Sequence, residues 1–277
     1  MQILDYLQTT GGILWLVACL PLGVFLAWLA VWVMNKVPAS WLCDYGETPA
    51  PELLTGSRVS FRREGILLSV LSVLCLALCR VQFNQGFDVY FIGLAGIIFF
   101  ALMIAVCDLK YMIIPDQFTA AVGIIAVGLS IYDIARGFRI LHFVWWSPLL
   151  GAVIGAGAML LIDFIGMLVY KKEGMGFGDV KLFAAVGLLT GFPGTVYAFL
   201  ISLLTATVCF LVILAAARRT SRPAEAEEET EESEQEILTA QSYLAFGPYI
   251  TVALIGYIVL FDAVHFLANS YLELFHF

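Results

Sequence analysis

Four stretches of the chain contain no Asp, Glu, Lys or Arg: Gly11 to Asn35, Val89 to Cys107, Leu182 to Ala217 and Ile237 to Phe261. A bilayer core about 30 Å thick is crossed by roughly 20 helical residues. Inside it every backbone N–H and C=O must be satisfied by protein, which favours helices over open strands. The blocks therefore predict membrane helices. Composition agrees, because 61% hydrophobic and 13% charged residues leave too little polar surface for a soluble domain of this length. The expected fold is all-α, a polytopic membrane helical bundle of about eight transmembrane helices. They are placed near 11–35, 65–80, 89–107, 117–135, 141–170, 180–192, 194–217 and 241–268. The run after Lys181 is too long for one span, and Gly191-Phe192-Pro193-Gly194 supplies a turn to divide it. The N-terminus has no basic stretch before its apolar block, so that block reads as a retained helix.

Positive charge sets the orientation. With the N-terminus outside and the helices alternating, the cytoplasmic segments hold Lys36, Arg58, Arg62, Arg63, Lys110, Lys171, Lys172, Lys181, Arg218, Arg219 and Arg222. The outer segments hold only Arg80, Arg136 and Arg139. This is the asymmetry of the positive-inside rule. The net charge of −8 comes from one run, the eight Glu between Glu225 and Glu236, without which the formal charge is zero. That run reads as a solvated cytoplasmic segment near 218–240. No basic footprint for nucleic acid is present. The six cysteines form no C-x-x-C and read as packing thiols. Two parts are expected: an N-terminal part, 1–80, with a cytoplasmic loop at 36–64, and a six-helix core, 81–277.

Carboxylates at membrane depth are costly, about 2.5–3.5 kcal/mol at a helix centre on insertion scales, and so point to function. Asp108 closes the third expected helix on the cytoplasmic side. It is followed by Ile114-Pro115-Asp116, where the proline disfavours helix at Ile114 and Asp116 suits an N-cap. Asp179 follows a glycine-rich turn, Gly174-Met175-Gly176-Phe177-Gly178, at the start of an apolar helix. Glycines there let a second chain approach the backbone in extended form. A phosphate loop is excluded because no G-K-[ST] follows. One carboxylate ends a helix and the other begins one, both on the same face, so the two can meet at one depth. Two close carboxylates share a proton, which equips them as general base and general acid for peptide hydrolysis. A proton-coupled transporter is the rival reading, but it would need acidic residues in both halves of the membrane. Asp163, inside the fifth helix, belongs to neither motif and reads as a helix-to-helix contact. Gly151 and Gly155 also read as a helix contact.

These residues resemble the bacterial type IV prepilin peptidases, membrane aspartyl proteases of the GxGD class. The resemblance rests on Asp108 with Ile114-Pro115-Asp116, on Lys172-Glu173-Gly174-Met175-Gly176-Phe177-Gly178-Asp179-Val180-Lys181-Leu182, and on Phe246-Gly247-Pro248-Tyr249. It implies that Asp108 and Asp179 are the catalytic pair, and Gly176, Gly178, Lys110, Pro115, Asp116 and Lys181 shape the site or bind substrate. It implies a prepilin or pseudopilin substrate, cut between a short basic leader and its hydrophobic helix. It places the enzyme in the bacterial inner membrane with its site facing the cytoplasm. The Ile-Pro-Asp element and the eight-helix layout favour this type over presenilin-like proteases that cut within membrane helices. Proteolysis needs no cofactor and no metal. Many members also methylate the new N-terminus with S-adenosylmethionine and carry two metal-binding C-x-x-C pairs in the first loop. Here that loop holds only Cys43, so the second activity stays open.

Overall fold

The computed structural model describes residues 10–43, 58–82, 89–136, 145–170, 176–220 and 246–260. The Glu-rich run, Lys171 to Met175 and residues 44–57 of the first loop lie outside them. The described residues form α1 (Thr10–Lys36), α2 (Ile66–Gln82), α3 (Val89–Tyr111), α4 (Asp116–Arg136), α5 (Ser147–Tyr170), α6 (Phe177–Thr220) and α7 (Gly247–Val259). A 3-10 turn, Ala39–Trp41, follows α1, and a π turn, Phe61–Gly65, leads into α2. Six helices are long and apolar enough to cross a membrane, and α7 is a shorter apolar helix.

Helix α6 is one element only in name. At Gly191 the backbone takes φ 67°, ψ −177° inside an otherwise helical run, and Pro193 follows. A left-handed φ is open to glycine at little cost, and proline removes a helical donor. The two limbs fold back on each other. Phe183 and Phe199, which would lie about 24 Å apart on a straight helix, have ring centroids 5.9 Å apart. Eight helical segments thus result among the described residues, divided where Gly191-Phe192-Pro193-Gly194 predicts. Backbone groups freed at the bend find side-chain partners, as they must inside a membrane. Thr195 donates to the Gly191 carbonyl at 2.6 Å, and the Phe192 amide donates to Ser147 Oγ at 3.1 Å. Tyr257 of α7 donates to the Thr190 carbonyl at 3.4 Å.

Small residues let α5 and α6 meet at backbone distance. A Cβ added at Gly151 would strike the Gly187 carbonyl oxygen, and one at Gly155 would lie 2.7 Å from the Phe183 carbonyl oxygen. Apolar association is weak in lipid, so such close backbone packing is a main source of helix adhesion. The expected contact at Gly151 and Gly155 is therefore within the chain. Helix α3 is the most buried span and packs against α1, α2, α4 and α7. Leu94, Ile97, Ala101 and Ile104 have no exposed surface. Helix α6 packs against α4, α5 and α7. The end of α3 and the start of α6 are thereby brought to the same end of the bundle.

Several boundaries differ from the sequence expectation. Helix α3 runs on to Tyr111, so Asp108 sits in its last turn and does not end it. Helix α6 begins at Phe177, three residues earlier than expected, which puts Asp179 inside its first turn. Pro115 rather than Asp116 takes the cap position of α4, because its carbonyl accepts the first helical bond, from Thr119, at 3.2 Å. Asp116 is the first helical residue.

Candidate active site

Asp108 is 5% exposed and Asp179 is 8% exposed. Burial at this level is unusual for an acidic residue, and each is placed by its own local geometry. Asp108 Oδ2 accepts the backbone N–H of Gly247 at 2.8 Å. Gly247 is the first residue of α7, with Pro248 behind it, so the donor is an amide that a helix start leaves free. A Cβ at position 247 would lie 2.6 Å from Asp108 Oδ2. Only glycine lets the α7 backbone approach the carboxylate this closely.

Asp179 is fixed from its own turn, where its amide donates to the Gly176 carbonyl at 3.0 Å. Its Oδ1 is buried and accepts no hydrogen bond among the described residues. A carboxylate oxygen left in that condition carries a desolvation cost, and such costs are retained where chemistry uses them. The two carboxylates are close enough for the charge of Asp108 to act on Asp179.

The turn between α3 and α4 joins these parts. Met112 adopts a left-handed φ of 55°, rare for a residue with a side chain. Its amide closes α3 on the Asp108 carbonyl at 2.9 Å. Ile114 then lies between two glycines. A Cβ at Gly178 would be 3.0 Å from Ile114 Cβ, and one at Gly247 would be 3.1 Å from Ile114 Cδ1. The isoleucine is a spacer touching the backbones that present Asp179 and hold Asp108. Ile114 and Gly247 had no assigned role in the sequence reading. The residue pattern around each had been singled out, but the contact itself is long-range.

The remaining expected site residues divide. Gly176 and Gly178 lie beside Asp179, and Pro115 is buried at the start of α4. Asp116 and Lys181 form an ion pair, with Nζ 2.8 and 2.7 Å from the two carboxylate oxygens. This pair ties α4 to α6 two residues along from Asp179, and Lys181 also lies over the Phe177 ring at 4.9 Å. Lys110 points elsewhere. Its Nζ meets Glu64 at 3.2 Å and donates to the Arg58 carbonyl. Asp163 is half-buried on α5. Asp133 is fully buried near the far end of α4, where it accepts the Tyr90 hydroxyl.

These features define a helical membrane protein with a two-carboxylate site at one end of the bundle. Over residues 95–211 the chain matches the type IV leader peptidase family. It is 35% identical over 100 residues to the leader peptidase HopD of Salmonella typhimurium, covering 35% of this chain and 60% of the relative. It is 26% identical over 236 residues to a prepilin leader peptidase/N-methyltransferase of Xanthomonas campestris, covering 83% of this chain and 68% of the relative. A protein of the same description from Escherichia coli is 34% identical over 92 residues, 33% of this chain and 38% of the relative. The matched stretches thus span from about a third to two thirds of those relatives' lengths. No solved structure matches the chain.

Proposed function

We propose that the chain is a prepilin-type leader peptidase, with Asp108 and Asp179 as its catalytic pair. The observation that supports this is the burial of two carboxylates from opposite helix ends at one end of the bundle, one anchored by an amide and the other with an oxygen that has no partner among the described residues. Such a pair holds one proton between its members. The ionised carboxylate takes a proton from water as its oxygen attacks the scissile carbonyl carbon. The protonated carboxylate gives its proton to the carbonyl oxygen. Collapse of the tetrahedral intermediate breaks the C–N bond, and the proton taken from water leaves on the new amino group.

The names of the relatives support the substrate class, and the position of the site is consistent with it. It lies at the end of the bundle that carries Lys36, Arg58, Lys110 and Lys181, the cytoplasmic end by the positive-inside rule. A prepilin or pseudopilin presents its basic leader there while its hydrophobic helix stays in the bilayer. The membrane in question is the bacterial inner membrane. Methylation of the new N-terminus, an activity in the description of several relatives, is not assigned to any residue here. The first loop has Cys43 as its single cysteine, so a four-thiolate centre has no ligands there.

The test is co-expression with a prepilin substrate. Wild type should remove the leader, and Asp108→Asn and Asp179→Asn should each lower the rate by about 10²–10⁴-fold. Cleavage that survives both substitutions would falsify the assignment. A mass gain of one methyl group on the product would establish the second activity.

A further inference from the structure

The end of α3 carries a second polar assembly where it meets the N-terminal part. Beyond α1 and the Ala39–Trp41 turn, the chain from Arg58 onward lands on α1 and α3 together. Asn35 receives it with three hydrogen bonds. Its Oδ1 accepts the amides of Arg58 at 2.7 Å and Val59 at 3.0 Å, and its Nδ2 donates to the Val59 carbonyl at 3.0 Å. The Arg58 side chain reaches back to the Val37 carbonyl, and Val59 is buried beneath. The Arg58 carbonyl, so fixed, accepts from Lys110 Nζ and from the Tyr111 hydroxyl at 3.4 Å. Glu64 completes the set, with Oε1 3.2 Å from Lys110 and Oε2 accepting the Ser60 amide at 2.8 Å. Deeper in the bundle, Cys107 Sγ lies 3.5 Å from Met34 Sδ.

Cys107, Lys110 and Tyr111 share one side of the last turn of α3, by their spacing of three and four residues. All three bind the N-terminal part. Asp108, about 100° round the helix from Cys107, meets α7. The turn that carries the carboxylate is therefore held from two directions, and Met112 leaves it in a strained conformation. Strain of that kind persists only where the surroundings enforce it.

We infer that Asn35 and Lys110 are positioning residues for Asp108, acting through the Arg58 carbonyl as a polar clasp between the N-terminal helices and the end of α3. The inference rests on the catalytic reading of Asp108 and deepens it. It gives the first loop a task in proteolysis, holding the carboxylate at the depth where Gly247 and Asp179 reach it. A misplacement near 1 Å at a reacting group costs about 10²-fold in rate, so a loosened clasp acts on turnover rather than on substrate affinity.

The experiment compares wild type with Asn35→Ala, Lys110→Met, Lys110→Arg and the double variant Asn35→Ala/Lys110→Met, in detergent with a prepilin-derived substrate. The expected result is a kcat lower by at least about tenfold in Asn35→Ala and Lys110→Met, with KM within about twofold. Lys110→Arg should recover most of the rate, and the double variant should be no slower than the slower single, since both break one clasp. Hydrogen exchange is followed in parallel and needs no activity. Backbone amides over 108–112 should exchange faster in Asn35→Ala and Lys110→Met than in wild type. Unchanged kcat, a change confined to KM, or unchanged exchange over 108–112 each overturns the clasp. If wild type removes no leader, the peptidase reading fails, and the exchange comparison alone decides whether the clasp holds this turn.

Discussion

The amide of Gly247 donates to Oδ2 of Asp108 at 2.8 Å, across 139 residues of sequence. The first turn of one helix thereby holds the carboxylate in the last turn of another. Neither element can move without disturbing the pair.

That contact predicts a sharp penalty at a position far from either aspartate in the chain. In Gly247→Ala the new methyl would lie 2.6 Å from Asp108 Oδ2. The carboxylate must move, and a hydrogen bond to a charged group, worth about 1.5–3 kcal/mol, is weakened or lost. We expect kcat to fall roughly 10–100-fold and the melting temperature to drop by a few degrees. Steady-state kinetics beside a thermal melt checks this, and full activity in Gly247→Ala would remove α7 from the site.

A shared proton predicts the pH profile. Only the singly protonated pair contains both a base and an acid, so kcat/KM should rise and then fall with pH. The falling limbs belong to the pair rather than to one residue. Measuring leader cleavage across the range should give a bell, and a single sigmoid would mean that one carboxylate acts alone.

The Asp116–Lys181 pair joins α4 to α6 through two short contacts, but both side chains are about one-third exposed, at 33% and 35%. Partial exposure limits such pairs to about 1 kcal/mol or less. A double-mutant cycle of Asp116→Asn and Lys181→Met on thermal stability should give a coupling in that range. A coupling several times larger would mean that the pair is screened from solvent in the membrane-bound protein.

Helix adhesion at Gly151 predicts a different kind of loss. A Leu there must push α5 away from the Gly187 carbonyl, at about 1–3 kcal/mol for an overpacked contact. Gly151→Leu should lower folded yield and melting temperature, while the specific activity of the surviving folded protein stays within a few-fold of wild type. A selective loss of activity at unchanged stability would instead place this contact in the catalytic cycle.

The helices were legible because uncharged blocks of the length of a bilayer have few other uses. The division at Gly191 was legible too, since a run of 36 uncharged residues cannot fit one span and carries both glycine and proline. Helix ends were harder to read. Asp108 and Asp179 were expected at the extreme ends of their helices, and both lie two or three residues inside, within the terminal turn. Polar residues at a membrane boundary mark where the bilayer stops, and a helix can continue beyond it. The resemblance implied that Lys110 shapes the site or binds substrate. Helical geometry turns it by about 200° from Asp108 and sends it to Arg58 and Glu64.

By itself the sequence determined that this chain spans a membrane with helices, which end of the bundle is basic, and which two carboxylates sit at that end. Those properties depend on local hydrophobicity and charge, which each segment carries alone. Only the tertiary structure decided what holds the carboxylates. Gly247 on Asp108, Ile114 between two glycines, and Asn35 under Arg58 are contacts between segments distant in the chain. Their partners are chosen by how the helices pack, and no local pattern encodes that choice.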